Sequence, residues 1–209
     1  DPAMASGAIP VMPQRVVGAV AEAAPEDAII CSDAGSNRHW MNHFFRTQRP
    51  GCYFGCGGIG GVSWSLPAAL TAQLIHPERP AIGVCSDGGF AMQMHTVLSA
   101  VQYGVAPITV VMNNSQLGMT AEGMGNRAVG SELPDTDYAA IARSMGARAE
   151  RVTRPVDIAP AIRAAVDETR GGGLPTVIDV VVDPGVGMRS AIYSPLAIEA
   201  ARGIKPSAA

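Results

Sequence analysis

Apolar residues recur along the chain in two alternating patterns. Starting at Pro13, which suits a first helical turn, Val16, Val17, Val20 and Ala24 return at helical spacing until Pro25. The run "DAIICSDAG" is then continuously apolar and ends in a turn at Gly35, and "SNRHWMNHFF" begins a helix for which Ser36 is the expected cap. The same order repeats: "AIGVCSDGG" reads as strand and turn, Phe90, Met94, Val97, Leu98 and Val101 share a helical face, and "APITVVMNN" is the next strand. A polar, glycine-bearing stretch follows from Ser115 to Thr136. Beyond it "DYAAIARSMGA" is helical, "RAERV" a short strand, "PVDIAPAIRAAVDETR" a helix that Pro160 kinks or starts late, and "TVIDVVVD" a strand.

Continuously apolar strands separated by helices predict a parallel sheet covered on both faces, so the expected fold is a doubly wound α/β domain. There is no fixed-period repeat, and the glycine-rich stretches "GCYFGCGGIGG" and "RGGGLP" are too short to separate domains. With 209 residues, 47% of them hydrophobic, the chain is read as one domain over 1–209. The "DPA" at 1–3, ahead of Met4, reads as a cloning scar, which would make this a short gene product.

A net charge of −3, from 15 basic and 18 acidic residues spread along the chain, offers no basic stripe for nucleic acid or anionic lipid. No apolar run approaches the roughly 20 residues needed to span a bilayer, and a cytoplasmic location is expected. Cys31, Cys52, Cys56 and Cys85 form no dense disulfide framework; Cys31 and Cys85 close apolar strands and are expected as reduced core thiols.

In an open parallel sheet, ligands bind beyond the carboxyl ends of the strands. Those ends carry Asp33-Ala34-Gly35, Asp87-Gly88-Gly89 and Asn113-Asn114. Gly88 and Gly89 open a helix directly after a strand, where main-chain N–H groups and the helix dipole can face a phosphate. An aspartate with an asparagine carbonyl makes a hard-oxygen pair, and magnesium takes one or two such ligands with phosphate and water completing its shell. A magnesium diphosphate is the expected occupant. The chain contains neither G-x-x-x-x-G-K-[ST] nor a G-x-G-x-x-G after its first strand, and "GGIGGVSW" follows no clear strand.

The span from Asp87 to Asn114 resembles the thiamine-diphosphate motif, an aspartate in a glycine turn followed after a little under thirty residues by paired asparagines. "GGIGGVSWSLPAALTAQLIHPERP" and "SDAGSNRHW" also resemble segments of acetolactate synthase and its relatives, and the likeness runs from Arg15 to Asp183. The resemblance implies the diphosphate-binding domain of this superfamily, with thiamine diphosphate and Mg2+ as cofactors. It implies that Asp87, the Asn114 side chain and the Gln116 carbonyl ligate magnesium. Gly88, Gly89, the backbone near Leu117 and Gly118, and Gly35, Ser36 and Asn37 would hold the diphosphate. Val62 would wedge between the two cofactor rings, Gly60 would offer its carbonyl to the pyrimidine amino group, and Met119 would approach the cofactor. Thr120, Glu122 and the loop to Arg127 are the expected substrate-facing groups. The protein on this reading mainly bends and clamps, and the cofactor supplies the chemistry.

Two positions depart from the family pattern. Ser86 stands where glycine usually precedes the aspartate, and Val62 is smaller than the usual wedge. A larger departure is the glutamate that activates the pyrimidine, which in this family comes from a separate pyrimidine-binding domain. It has no matching motif here, so no catalytic residue is assigned within this chain. The expected partner is therefore a pyrimidine-binding subunit in a heterotetramer or larger, as in sulfopyruvate decarboxylase-like systems. The expected chemistry is cleavage or formation of a C–C bond next to a carbonyl, on a small 2-oxo or 2-hydroxy carbonyl substrate, by a 2-oxoacid decarboxylase or an acetolactate synthase-like carboligase. The alternatives are a non-catalytic cofactor-binding or regulatory module, and an excised C-terminal domain of a longer enzyme.

Other motifs carry less. His39 and His43 lie four apart on a helix, and Cys52 and Cys56 form C-x₃-C, but neither pair has further patterned ligands. His95 points off the apolar stripe and reads as a surface histidine. Met92, Met94, Met112 and Met124 read as core.

Overall fold

The chain's computed structural model describes residues 1–125 and 129–188. Six strands, β1 (Ile29–Ser32), β2 (Tyr53–Gly55), β3 (Ala81–Ser86), β4 (Ile108–Asn113), β5 (Arg148–Val152) and β6 (Thr176–Val181), form one sheet in the order β2-β1-β3-β4-β6-β5. Every neighbouring pair is parallel. The helices are α1 (Pro13–Ala23), α2 (Ser36–Phe44), α3 (Ser65–Ile75), α4 (Asp87–Gln93), α5 (Thr96–Tyr103), α6 (Gly118–Met124), α7 (Tyr138–Ser144) and α8 (Ile158–Arg170).

Strand periodicity decides which side chains meet which helices. Ile30, Ile82, Val84, Ile108, Val110, Ile178 and Val180 point to one face and pack with Val16, Val17 and Val20 of α1, Trp40 and Met41 of α2, and Ile158 and Ile162 of α8. Cys85, Val111 and Val177 point to the other face and meet Leu66 of α3, Phe90 of α4, Val97 of α5 and Tyr138 of α7. Both faces of the sheet are covered, as the continuously apolar strands require. All four cysteines are free and buried, and burial pushes the Cys31 thiol up to about 12.

The chain leaves β1 outward to β2, then crosses to the other side of β1 for β3. That reversal opens a crevice at the carboxyl ends of β1 and β3, the place where open α/β sheets take ligands.

Several elements differ from expectation. The edge strand β2 lies inside the glycine-rich stretch, so "GGIGGVSW" does follow a strand; its three residues, flanked by glycine, are too short for an alternating signal. Residues 65–75, quoted above only for their likeness, form α3. The segment after Asp87 is two helices, because Val97 and Leu98 bond back to Met94 and His95 and start a new axis at Thr96. Phe90 and Val97 are buried, whereas Met94 and Leu98 face solvent. Ser36 does not cap α2; it is the first helical residue, and Gly35 (φ 105°) holds the cap position without a side-chain bond. The late start expected around Pro160 is observed: a 3-10 turn over Pro155–Asp157 precedes α8, and Pro160 is the third residue of α8, inside the first turn, where its missing N–H leaves no gap. The polar stretch after Ser115 contains α6. Among the described residues, no helix is long and apolar enough to cross a membrane.

Candidate functional site

The register of β3 on β4 pairs Ser86 with Met112, so Asp87 emerges beside Asn113 and Asn114. Phe90 is fully buried and meets the Tyr138 ring edge-on at 5.4 Å, which pins α4 and the turn that carries Asp87. Ser86 caps this helix, its Oγ accepting the Gly89 N–H at 3.1 Å. Asp87 is 1% exposed. Its Oδ1 accepts the Gly88 N–H at 2.7 Å and its Oδ2 accepts the Gln116 N–H at 3.2 Å. Burial raises its pKa above the ordinary 3.8, and the main-chain donors offset part of that. Among the described residues no lysine, arginine or histidine forms an ion pair with it.

The two asparagines part company. Asn113 turns away, donating through Nδ2 to Asp179 (3.0 Å) and to the Thr136 carbonyl (3.1 Å) and accepting the Ser115 N–H (3.2 Å). Asn114 faces the crevice, and its Nδ2 lies 3.0 Å from where a Cβ on Gly118 would sit. Between them and α6 the backbone is held tightly. Leu117 donates to Ser131 (2.7 Å), Leu133 to Ser115 (2.9 Å), and Ser115 takes a positive φ of 51°. The Gln116 carbonyl accepts the Gly118 N–H at 2.9 Å across a γ-turn and keeps a second lone pair.

At the end of β1, Gly35, Ser36 and Asn37 open α2 onto the same crevice. Asn37 is 2% exposed and directs its amide N–H groups at the carbonyls of Asp33 (3.1 Å) and Val84 (3.3 Å), stitching β1 to β3. What it offers the crevice is therefore the first-turn N–H of a helix, with Oδ1 left without a partner. Arg38 reaches the Cys56 carbonyl at 3.2 Å and lies against Gly60, which holds φ 69°. Gly60 and Val62 both line the crevice, Val62 being 45% exposed.

These elements enclose a cleft of about 440 Å³, within the range of small-molecule sites. The residues singled out in the sequence for the cofactor, with Thr120 and Glu122, line it except Asp87, which lies beneath its floor with its carboxylate bound to Gln116 on that floor; Gly123, Met124 and Gly125 of the loop toward Arg127 do not line it. Leu117, Gly118, Met119, Thr120 and Glu122 come from α6 and the turn before it. Arg127 lies outside the described residues. Met92 and Met112 also line the cleft; Met112 on β4 is buried as expected, whereas Met92 on α4, Met94 at its C-cap and Met124 at the end of α6 are exposed rather than core. His95 is exposed at the break between α4 and α5.

The sequence did not point to the far wall. Val182, Asp183, Pro184, Val186 and Gly187 follow β6 and line the cleft, anchored by Val182 N–H to the Asn113 carbonyl (2.8 Å) and Asp183 N–H to Val11 (2.9 Å). A Cβ on Gly187 would overlap the Glu122 carboxylate, which also acts on His39 of α2. Burial and Arg38 lower the His39 pKa and Glu122 opposes them. Asp33 and Ser63 also went unassigned, since an aspartate in a turn and a serine in a loop carry no signal until their partners are known.

Comparisons with known proteins give the family and the fold neighbour. Residues 33–180 match the family described as thiamine pyrophosphate enzyme, C-terminal TPP binding domain. The chain is 36% identical over 176 residues to a Bacillus subtilis protein named "Putative thiamine pyrophosphate-containing protein YdaP", covering 83% of this chain and 30% of that protein. It is 30% identical over 186 residues to a "Probable acetolactate synthase large subunit" of Methanocaldococcus jannaschii, covering 84% of this chain and 31% of that one. A Rhodococcus jostii thiamine diphosphate-dependent 4-hydroxybenzoylformate decarboxylase superposes with a TM-score of 0.75 at 26% identity, over 85% of this chain and 34% of its own. The chain thus spans about a third of the length of each of these relatives. With the matched segment running from Asp33 to Val180 and taking in the cleft-lining residues from Ala34 to Glu122, though not the wall from Val182 to Gly187, the chain belongs to the family of thiamine pyrophosphate enzyme C-terminal domains.

Proposed function

We propose that the cleft binds thiamine diphosphate with Mg2+, and that the chain is the diphosphate-binding half of an enzyme cleaving or forming a C–C bond next to a carbonyl. One observation carries this reading. Asp87 is a buried carboxylate whose partners among the described residues are N–H groups, and it sits beside the Asn114 side chain and the Gln116 carbonyl at the ends of adjacent strands. A divalent cation would offset the burial of that charge, and oxygen donors of this kind suit magnesium. Gly88 and Gly118 leave room beside Leu117, Asn114 and Ser36, Gly89 lets α4 close on Asp33 beneath the site, and the α2 N-terminus with Ser36 supplies donors from the opposite wall.

When bound, the cofactor supplies the electron sink for carbonyl C–C chemistry. The chain's residues hold and orient it. Asp87, Asn114 and Gln116 fix the metal end, and Val62 and Gly60 meet the ring end. Thr120 and Glu122 on α6 stand at the mouth, where a small 2-oxo or 2-hydroxy carbonyl substrate would enter. The pyrimidine-activating glutamate is assigned to a pyrimidine-binding partner, on a separate subunit or on the rest of a longer chain. Decarboxylation and carboligation both fit this half-site.

Calorimetric titration with thiamine diphosphate and Mg2+, with and without that partner, tests the reading. Saturable binding that Asp87→Ala and Asn114→Ala each abolish is expected; unchanged binding in both variants removes the assignment.

A further inference from the structure

Asp33, in the turn after β1, is fully buried. Its Oδ1 accepts the N–H groups of Ala34 (2.8 Å) and Trp64 (2.9 Å), and its Oδ2 accepts that of Ser63 (2.9 Å). Ser63 and Trp64 lie 30 and 31 residues further along, so one carboxylate ties the β1 turn to the loop entering α3. Its charge is balanced by main-chain donors, and burial nonetheless keeps its pKa raised.

That loop needs holding. Ser63 has φ 74°, a left-handed conformation that residues with a Cβ seldom adopt. It is 1% exposed, and its hydroxyl donates to the Gly89 carbonyl at 2.6 Å. The adjacent Val62 is 45% exposed and faces the cleft. On the other side Asp33 abuts α4, since a Cβ on Gly89 would lie 2.8 Å from its Oδ2. Asp33 therefore sits where the turn under the diphosphate end and the loop at the ring end meet.

We infer that Asp33 is a positioning residue that, through Ser63 and Trp64, fixes the loop presenting Val62 and so governs how the cleft receives the ring portion of the cofactor rather than its diphosphate. This rests on the assignment of the cleft to thiamine diphosphate. A residue that merely stabilised the fold would weaken both portions alike.

The full chain, assembled with its pyrimidine-binding partner, is titrated with thiamine diphosphate and separately with inorganic diphosphate, each with Mg2+. Asp33→Asn keeps the shape but turns one acceptor into a donor facing N–H groups. It is expected to weaken thiamine diphosphate at least about fivefold and inorganic diphosphate less than about twofold. Val62→Ala should give the same split, and the double variant should fall short of the sum of the two. Equal weakening of both ligands by Asp33→Asn, or full additivity, overturns the inference. If Asp33→Asn does not fold, Ser63→Gly, which accepts φ 74° but loses the hydroxyl clamp on Gly89, should show the split, and a wild-type ratio overturns the inference. Wild-type protein that binds neither ligand overturns the cleft assignment and this inference with it; wild type that binds both while the variants keep its ratio overturns this inference alone.

Discussion

The Oδ2 atom of Asp87 accepts the main-chain N–H of Gln116 at 3.2 Å, so the end of β3 is tied directly to the turn beyond β4. One side chain thereby fixes the spacing of the three groups assigned to magnesium. Asp87→Asn keeps the shape and leaves one of the two N–H groups, on Gly88 or Gln116, without its acceptor. It should cost about 1 kcal/mol of stability while weakening Mg2+-dependent thiamine diphosphate binding by about a hundredfold or more. Denaturant unfolding beside titration separates the two effects.

Burial raises the pKa of Asp33, Asp87 and Asp179 above the ordinary 3.8. The folded chain then holds these protons to a higher pH than the unfolded chain, so their contribution to stability is greatest below that ordinary value and is lost as pH rises through the raised values. Asp87→Asn should remove its share of that fall, read as a flatter difference in unfolding free energy across the acidic range. Cofactor binding must run the opposite way, because the metal requires the ionised carboxylate. Affinity should rise with pH through the same window.

Gly88 and Gly89 differ in what a methyl group would meet. At Gly88 it would lie 2.8 Å from the Leu117 Cδ2, the end of a half-exposed side chain that can move. At Gly89 it would lie 2.8 Å from the Oδ2 of Asp33, whose carboxylate is held in place by the Ser63 N–H on Oδ2 and the Ala34 and Trp64 N–H groups on Oδ1. Gly89→Ala is expected to destabilise by about 2–3 kcal/mol and Gly88→Ala by about 1 kcal/mol or less. Thermal unfolding of the pair checks the order.

Ser86 stands where the family pattern has glycine, and its hydroxyl caps α4 through the Gly89 N–H. Ser86→Ala should cost about 1 kcal/mol, and Ser86→Gly only a few tenths, since glycine is tolerated at a helix N-cap. Equal losses in the two variants would contradict the capping role.

The parallel sheet was legible because β1, β3, β4 and β6 are buried on both sides and therefore read as predominantly apolar runs without alternation, Asp179 in β6 being buried with the rest. Residues 53–55 gave no such run, being an exposed edge of three residues. At the site, Asp87, Gly88, Gly89 and Asn114 were legible because a glycine turn and a strand end fix their position in sequence. Asp33, Ser63 and the segment from Val182 to Gly187 were not, because their roles lie in contacts with residues far along the chain. A serine before an apolar run looks the same whether it precedes the first turn or begins it, so the sequence does not distinguish Ser36 as a cap from Ser36 as the first residue of α2.

The most direct measurement is anomalous scattering from a crystal of the chain, with its partner, grown with thiamine diphosphate and Mn2+ in place of Mg2+. The account predicts one peak within coordination distance of the Asp87 carboxylate, the Asn114 side-chain oxygen and the Gln116 carbonyl, with the diphosphate between Gly88 and the α2 N-terminus. A peak elsewhere, or a bound cofactor whose metal leaves Asp87 untouched, would contradict it.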